Sequence, residues 1–309
     1  MNLAASPQNK KIPVILDTDI GTDIDDTWAL AFLLKCPELD VKLITTASGD
    51  TFERAKIVAK ILEIAGRTDI PIGLGLPLEN TPCFQREWAK DYQLSSFPGK
   101  VYENGISAII NTIFLSPEPT KVIGIGPLPN LAATILLEPE ITGYSSFIGM
   151  FGSIRNGYFG RTGITAEYNV KLFPHACRNV FASSWKKTIA PLDTSGIVQL
   201  KGEKYQAIRS SQNILVRAVM ENYDCWTKYY TNPLYQGFDP QKESSFLYDL
   251  VPIYMAFSER LLGIEELPLA VTDDGLTVID ENCESIRCAT TWRDLAAFED
   301  LIVNRLIEF

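Results

Sequence analysis

The chain has 309 residues, 46% hydrophobic and 21% charged, a balance that fits a soluble globular protein with a substantial core. Its formal charge of −10 argues against an electrostatic nucleic-acid binder, which needs a basic face. No apolar run approaches the length of a membrane span, the opening MNLAASPQNKK lacks a signal-peptide core, and the six scattered cysteines form no CxxC pair. Free thiols of this kind fit a reducing cytoplasm. His175 is the single histidine, which rules out a multi-histidine zinc site.

Residues 1–11 read as a tail, and 12–309 as one domain. Residues 12–16 form an apolar run, a buried strand, and 27–34 read as a helix. Residues 41–46 are a second strand, 52–65 a helix stopped by Gly66, and 70–74 a third strand. This alternation predicts an open, mostly parallel α/β sheet flanked by helices. Residues 75–100 break the rhythm with Pro77, Pro82 and Pro98, and carry Trp88, Tyr92 and Phe97; they form either a substrate flap or a surface excursion packed by its aromatics. A helix over 102–115, a strand over 121–125, a helix through Leu137 and a strand over 147–151 follow. A Gly-rich loop over 152–164 contains Arg155, Asn156 and Arg161. Further on come a helix near 175–183, a strand over 187–190, helix over most of 203–231, and a helix from Phe246 through Phe257. Residues 276–279 and 285–289 read as a hairpin-like pair, and 292–309 as the final helix.

The first strand runs directly into Asp17–Asp26, DTDIGTDIDD, with five aspartates in ten residues at a strand-to-helix turn. Such crowding is costly unless a cation or shared protons neutralise it, and hard oxygen-liganded cations are the natural partners. Ligands of parallel sheets bind beyond the carboxyl ends of the strands, where both this turn and Asp50 lie. An EF-hand is excluded, because Trp28 occupies the twelfth place counted from Asp17.

DTDIGTDIDD, ITTASGD (44–50), IGPLPN (125–130), AEYN (166–169) and LYD (247–249) occur in this order. Together they resemble the nucleoside hydrolase family of the inosine-uridine-preferring type, and the resemblance covers nearly the whole chain. It implies a tightly held Ca²⁺ and hydrolysis of the N-glycosidic bond of ribonucleosides to base and ribose. It assigns Asp19, Asp26 and Asp249 as carboxylate calcium ligands, Ile125 as a ligand through its carbonyl, and Asp19 also as general base. Asp25, Glu167 and Asn169 match ribose-binding positions. The family also implies a homodimer or homotetramer, with a nucleoside as the only partner and neither nucleic acid nor membrane.

Four positions depart from the family pattern. Thr22-Asp23-Ile24 lengthens the opening turn and adds Asp23, which either supports the site or caps the helix. Asp50 stands where many members have a ribose-contacting asparagine. Arg161 stands near another expected asparagine, and would pair with Asp50, meet substrate or lie on the surface. Tyr248 replaces the histidine that protonates the leaving base. A tyrosine, with an unperturbed pKa of about 10, is a poorer acid; Trp88, Tyr92 or solvent are the other sources of leaving-group help. His175, after Pro174 at a helix start, reads as structural. Two other readings stay open: a Mg²⁺-dependent phosphatase-like hydrolase using the DTD aspartates, and a nucleoside-binding homologue with little turnover.

Overall fold

The computed structural model describes residues 10–78, 81–230 and 238–308. Residues 1–9 of the expected tail, and residue 231 of the expected helical stretch, lie outside them. The strands are β1 (Ile12–Thr18), β2 (Leu39–Thr46), β3 (Ile72–Leu74), β4 (Val101–Tyr102), β5 (Thr120–Gly124), β6 (Ser145–Met150), β7 (Lys186–Ala190), β8 (Leu262–Val271), β9 (Thr277–Ile279) and β10 (Ser285–Trp292). They form one sheet in the order β4-β3-β2-β1-β5-β6-β7-β10-β8-β9. Pairing is parallel from β4 to β10 and antiparallel on both sides of β8.

β1 is buried along its length because helices cover both faces of the sheet, which is why it reads as a continuous apolar run. Its alternation separates two cores. Val14 and Leu16 pack under helices that include Asp25–Leu34, Ile214–Tyr229 and Leu295–Ile307. Ile15 packs on the opposite face with Ile109, Leu131 and Val180. Continuing this period of two, Asp17 points toward helix Pro129–Leu137 and Thr18 toward helix Asp25–Leu34. The two residues at the strand's end are thereby handed to different layers.

Helix Asp25–Leu34 is buried on every side apart from its last residue. Trp28 meets Tyr223 edge-on at 6.3 Å and Phe32 meets Phe298 at 6.4 Å. Packing all round this helix forces its acidic first turn into the interior, so the aspartates are held by tertiary burial.

Three expectations change. The predicted hairpin of 276–279 and 285–289 does not form: β9 and β10 each pair antiparallel with β8 between them. β8 escaped detection because Glu265, Glu266 and Pro268 interrupt its apolar pattern. The helix expected from Phe246 begins only at Leu250, so residues 246–249 form an extended approach and turn.

Candidate active site

The chain winds outward from β1 through β2, β3 and β4, then crosses back to β5 on the other side of β1. This reversal opens a crevice at the carboxyl ends of β1 and β5, the usual ligand position in such sheets. Asp17 and Asn130 seal its base. Asp17 Oδ1 accepts from Thr45 Oγ1 at 2.5 Å and from Asn130 Nδ2 at 2.8 Å. Asn130 also donates to the Thr46 carbonyl at 3.1 Å and accepts from the Leu76 amide at 2.8 Å. One amide side chain thus joins the ends of β1 and β2 to the chain after β3. Burial pushes the Asp17 carboxyl up to about 7 against the hydrogen bonds from Thr45 and Asn130. Asp17 therefore supports the turn beneath the cavity.

The acidic turn is held by Arg54, which the sequence reading did not single out. Its guanidinium is fully buried. Nε donates to the Ser48 carbonyl at 2.7 Å, and Nη1 donates to the carbonyls of Asp19 and, at 2.9 Å, Ile20. Nη2 donates to Thr22 Oγ1 at 2.9 Å and Thr81 Oγ1 at 3.1 Å. All five N–H groups of the planar fork are used, a geometry no other side chain offers. The lengthened segment is pinned from two further sides. Trp226 Nε1 donates to the Thr22 carbonyl at 3.1 Å, and Gln85 Nε2 donates to the Asp23 carbonyl at 2.5 Å. Gly126 permits the β5 end to approach: a Cβ there would lie 2.6 Å from the Asp19 amide nitrogen.

Asp25, Asp26 and Asp249 present carboxylate oxygens within 4.8 Å of one another, all buried. Asp26 accepts from Thr18 Oγ1. Burial, and then the neighbouring aspartate charges, push all three well above the usual carboxylate range. Burial raises Asp19 as well, opposed by the Arg54 charge. An oxygen-only donor set of buried, mutually repelling carboxylates fits a hard cation. The triad contains Asp25, expected at the sugar, and does not contain Asp19, expected at the metal. Asp19 and Ile125 line the same cavity.

Glu167 and Asn169 line the same cavity. Glu167 accepts from the amides of Asn169 at 2.8 Å, Val170 at 3.2 Å and Gly152 at 3.3 Å, and burial still pushes it up to about 7. Asn169 Nδ2 donates to the Ile125 carbonyl at 2.9 Å. The resulting cavity of about 510 Å³ is lined by these carboxylates and Asn169 and also by aromatic side chains, Phe84, Tyr158, Tyr168, Tyr230 and Tyr248. Tyr248 meets Tyr158 edge-on at 5.9 Å, and the Tyr158 hydroxyl accepts from the Tyr168 amide at 2.9 Å.

Three expected site residues are not brought to this cavity. Asp50 caps helix Thr51–Ile64 through the Glu53 amide at 3.1 Å, and pairs with Arg86 at 3.4 Å. Arg161 is exposed and lies over the Phe159 ring, so its pairing with Asp50 does not occur. Trp88 packs beneath Lys60, whose Nζ is 3.9 Å from the ring centre. The 75–100 loop contributes Pro82 and Phe84 to the cavity instead, and Gln85 behind it. Tyr92 bonds Glu63 at 2.6 Å, and His175 is exposed beside Arg178, outside the cavity lining. Asp23 does not cap the helix that follows: Ile24 occupies the cap position, and Asp23 lines the cavity. Arg54, Gln85 and Asn130 went unrecognised because a lone polar residue in a helix or loop reads as solvated until its partners are known.

Fold and site together define a doubly wound α/β protein with an acidic, cation-ready centre at its switch point. The family model described as inosine-uridine preferring nucleoside hydrolase matches residues 14–299. The chain belongs to this family, and is accordingly a hydrolase acting on N-glycosyl bonds of ribonucleosides. A pyrimidine-specific ribonucleoside hydrolase RihA of Citrobacter koseri is 26% identical over 281 residues, covering 87% of this chain and 88% of that protein. Its namesake in Photobacterium profundum is 27% identical with the same coverage. Among solved structures, a plant nucleoside hydrolase superposes with a TM-score of 0.81 at 21% identity, covering 96% of this chain and 99% of that one. An inosine-uridine preferring nucleoside hydrolase from Bacillus anthracis gives 0.78 at 17%, with the same coverage. At these identities the structural likenesses speak to the fold. No helix among the described residues is long and apolar enough to cross a membrane.

Proposed function

We propose that this chain is a calcium-dependent ribonucleoside hydrolase in which Asp19, Asp26, Asp249 and the Ile125 carbonyl hold Ca²⁺ and Asp25, Glu167 and Asn169 hold the ribose. The observation that carries this reading is a cluster of buried carboxylates that shares one cavity with several aromatic side chains at the β1/β5 crevice. Four protein oxygens leave room for water and vicinal sugar hydroxyls within the six to eight ligands Ca²⁺ accepts. When bound, the cation supplies Lewis acidity toward a water and those hydroxyls.

The protein's own groups do the rest. Asp19 takes the proton of the attacking water, a step worth about 10²–10⁴-fold. Asp25 and Glu167 face the sugar as it gains oxocarbenium character, and their negative charge stabilises that state. Glu167 is fixed by three backbone amides, so it is aimed before substrate arrives. The aromatic side chains seat the base, and the Tyr248 hydroxyl donates a hydrogen bond to it as it leaves. We place the protein in the cytoplasm, on the support of six free cysteines. We read it as a homodimer or homotetramer, on the support of exposed Leu115, Leu136 and Leu137 on neighbouring helices.

The test is ribose release from a panel of nucleosides, with Ca²⁺ and with chelator, by the wild type and Asp19→Ala. The reading requires calcium-dependent reducing sugar that Asp19→Ala abolishes. Inorganic phosphate released from phosphate esters, with no ribose from nucleosides, would assign the site to phosphoester chemistry instead.

A further inference from the structure

Glu167 caps the short helix Tyr168–Leu172, and the residues around it are held by the loop that follows β6. The Gly152 amide donates to Glu167 Oε2 at 3.3 Å, the Thr165 amide donates to Ser153 Oγ at 3.0 Å, and the Tyr168 amide donates to the Tyr158 hydroxyl at 2.9 Å. Ser153 is fully buried, and a Cβ on Gly157 would lie 2.8 Å from Thr165 Oγ1, so the two segments are in close contact. Residues 152–158 therefore help set where Glu167 lies, yet no strand or helix runs between Met150 and Tyr158 to stiffen them. One carboxylate fastens them instead. Asp193, in the short helix Leu192–Ser195 after β7, accepts from three consecutive backbone amides: Ile154 at 2.8 Å on Oδ2, and Arg155 at 2.8 Å and Asn156 at 3.2 Å on Oδ1. Beside it, the Leu192 amide donates to the Gly152 carbonyl at 2.9 Å. Asp193 is buried and lies outside the cavity lining. Hydrogen bonds to an ionised acceptor are about twice as strong as neutral ones, so this anchor is stiff.

We propose that Asp193 is a positioning residue for the hydrolysis, acting through Glu167. This rests on the reading above that places Glu167 at the ribose. Asp193 gathers three amides on one anion, and the loop so fixed presents the Gly152 amide to Glu167 and the Ser153 hydroxyl to the residue two before it. β6 and β7 are parallel neighbours, so the loops after them leave the sheet at the same end as the crevice, and Asp193 ties one to the other. Asparagine cannot supply the same anchor: it has one acceptor oxygen, and its NH₂ would face a backbone N–H. A group displaced by about 1 Å loses about 10²-fold in rate, which is the scale on which a loosened loop is felt at Glu167.

The experiment measures kcat and KM, for the nucleoside the wild type hydrolyses best, in the wild type, Asp193→Asn, Asp193→Ala, Glu167→Gln and the double variant of Asp193→Asn with Glu167→Gln. Thermal melts and calorimetric calcium titrations of each protein accompany the kinetics. Asp193→Asn should lower kcat about tenfold and Asp193→Ala about 10²-fold, with KM within threefold and calcium affinity unchanged. In the Glu167→Gln background the further loss from Asp193→Asn should shrink to threefold or less, because residues that act as one unit are not additive. A near-wild-type kcat in Asp193→Asn, a loss above threefold that persists without Glu167, a loss carried by KM, or a calcium affinity that falls in step overturns the proposal and leaves the hydrolase reading intact. Wild-type kcat in Glu167→Gln removes Glu167 from the ribose set and the proposal with it. Absence of ribose from every nucleoside with the wild type overturns the hydrolase reading itself. Should Asp193→Ala fail to fold, Asp193→Asn, which keeps one acceptor oxygen, decides.

Discussion

Replacing Arg54 with methionine tests how the acidic turn is held. The substitution keeps the aliphatic bulk and removes five hydrogen bonds. The carbonyls of Ser48, Asp19 and Ile20 then lose their side-chain partner in a buried setting, where each orphaned group costs about 1–3 kcal/mol. The acidic cluster also loses the positive charge that opposes the upward shift of Asp19 and Asp26. Breaking a buried charged network of this kind costs about 3–5 kcal/mol. With an unfolding entropy of about 2.1 cal/mol/K per residue, 4 kcal/mol lowers the melting temperature of this chain by roughly 6 °C. Calcium affinity should fall by at least about tenfold, because the ligands become harder to ionise and their turn is loosened. Arg54→Lys, with three donors in place of five, should fall between the wild type and Arg54→Met on both measures. Thermal unfolding and calorimetric calcium titration of the purified proteins supply the two readouts. If Arg54→Met melts within 2 °C of the wild type and binds calcium equally well, the turn does not depend on the guanidinium and the reasoning fails.

Other expectations follow from single contacts. Tyr248→Phe should slow nucleosides more than p-nitrophenyl riboside, whose leaving group needs no proton; equal losses on both would remove the hydroxyl from leaving-group assistance. Tyr248→His should introduce a dependence on a protonated imidazole, with activity falling as pH rises through about 6.5; an unchanged alkaline limb would show that this position does not reach the base. Gly126→Ala places a Cβ 2.6 Å from the Asp19 nitrogen, against backbone that cannot swing away. The displaced Asp19 should cost about 10²-fold in kcat, and wild-type kcat would show that the β5 end yields without moving Asp19. Calcium at 100 times its Kd should stabilise the wild type by about 2.7 kcal/mol, and Asp249→Asn should lose most of that gain. A melting temperature indifferent to both calcium and chelator would contradict the ligand set.

Much of the molecule was legible before any coordinates. The apolar run of β1, its acidic turn and the apolar helix after it follow from periodicity and composition, because consecutive residues decide them. Gly66 stops its helix at a positive φ of 64°, as a C-terminal cap does. Failures occurred where residue type and neighbours say one thing and distant packing another. Asp23 looked like a helix cap, but the cap position falls on Ile24. Glu265 helped hide β8 from the sequence pattern, yet it pairs with Arg155 at 2.8 Å while β8 separates β9 from β10. Asp50 sat in the expected motif, and its carboxylate turned to cap its own helix.

The sequence alone therefore determined the chemistry on offer: clustered carboxylates after a buried strand, a single histidine, and a tyrosine at 248. Those are properties of residue identity and local order, and no packing arrangement alters them. The tertiary structure decided the assignments among them. It grouped Asp25 and Asp26 with Asp249, more than two hundred residues away, and set Arg54 behind the turn. It left Trp88 and Arg161 outside the cavity and put Asp23 in its lining. The reason is physical: burial, hydrogen bonding and charge depend on distances across the fold, and these arise only when β1, β5 and the turn before helix Leu250–Met255, far apart in the chain, are brought together.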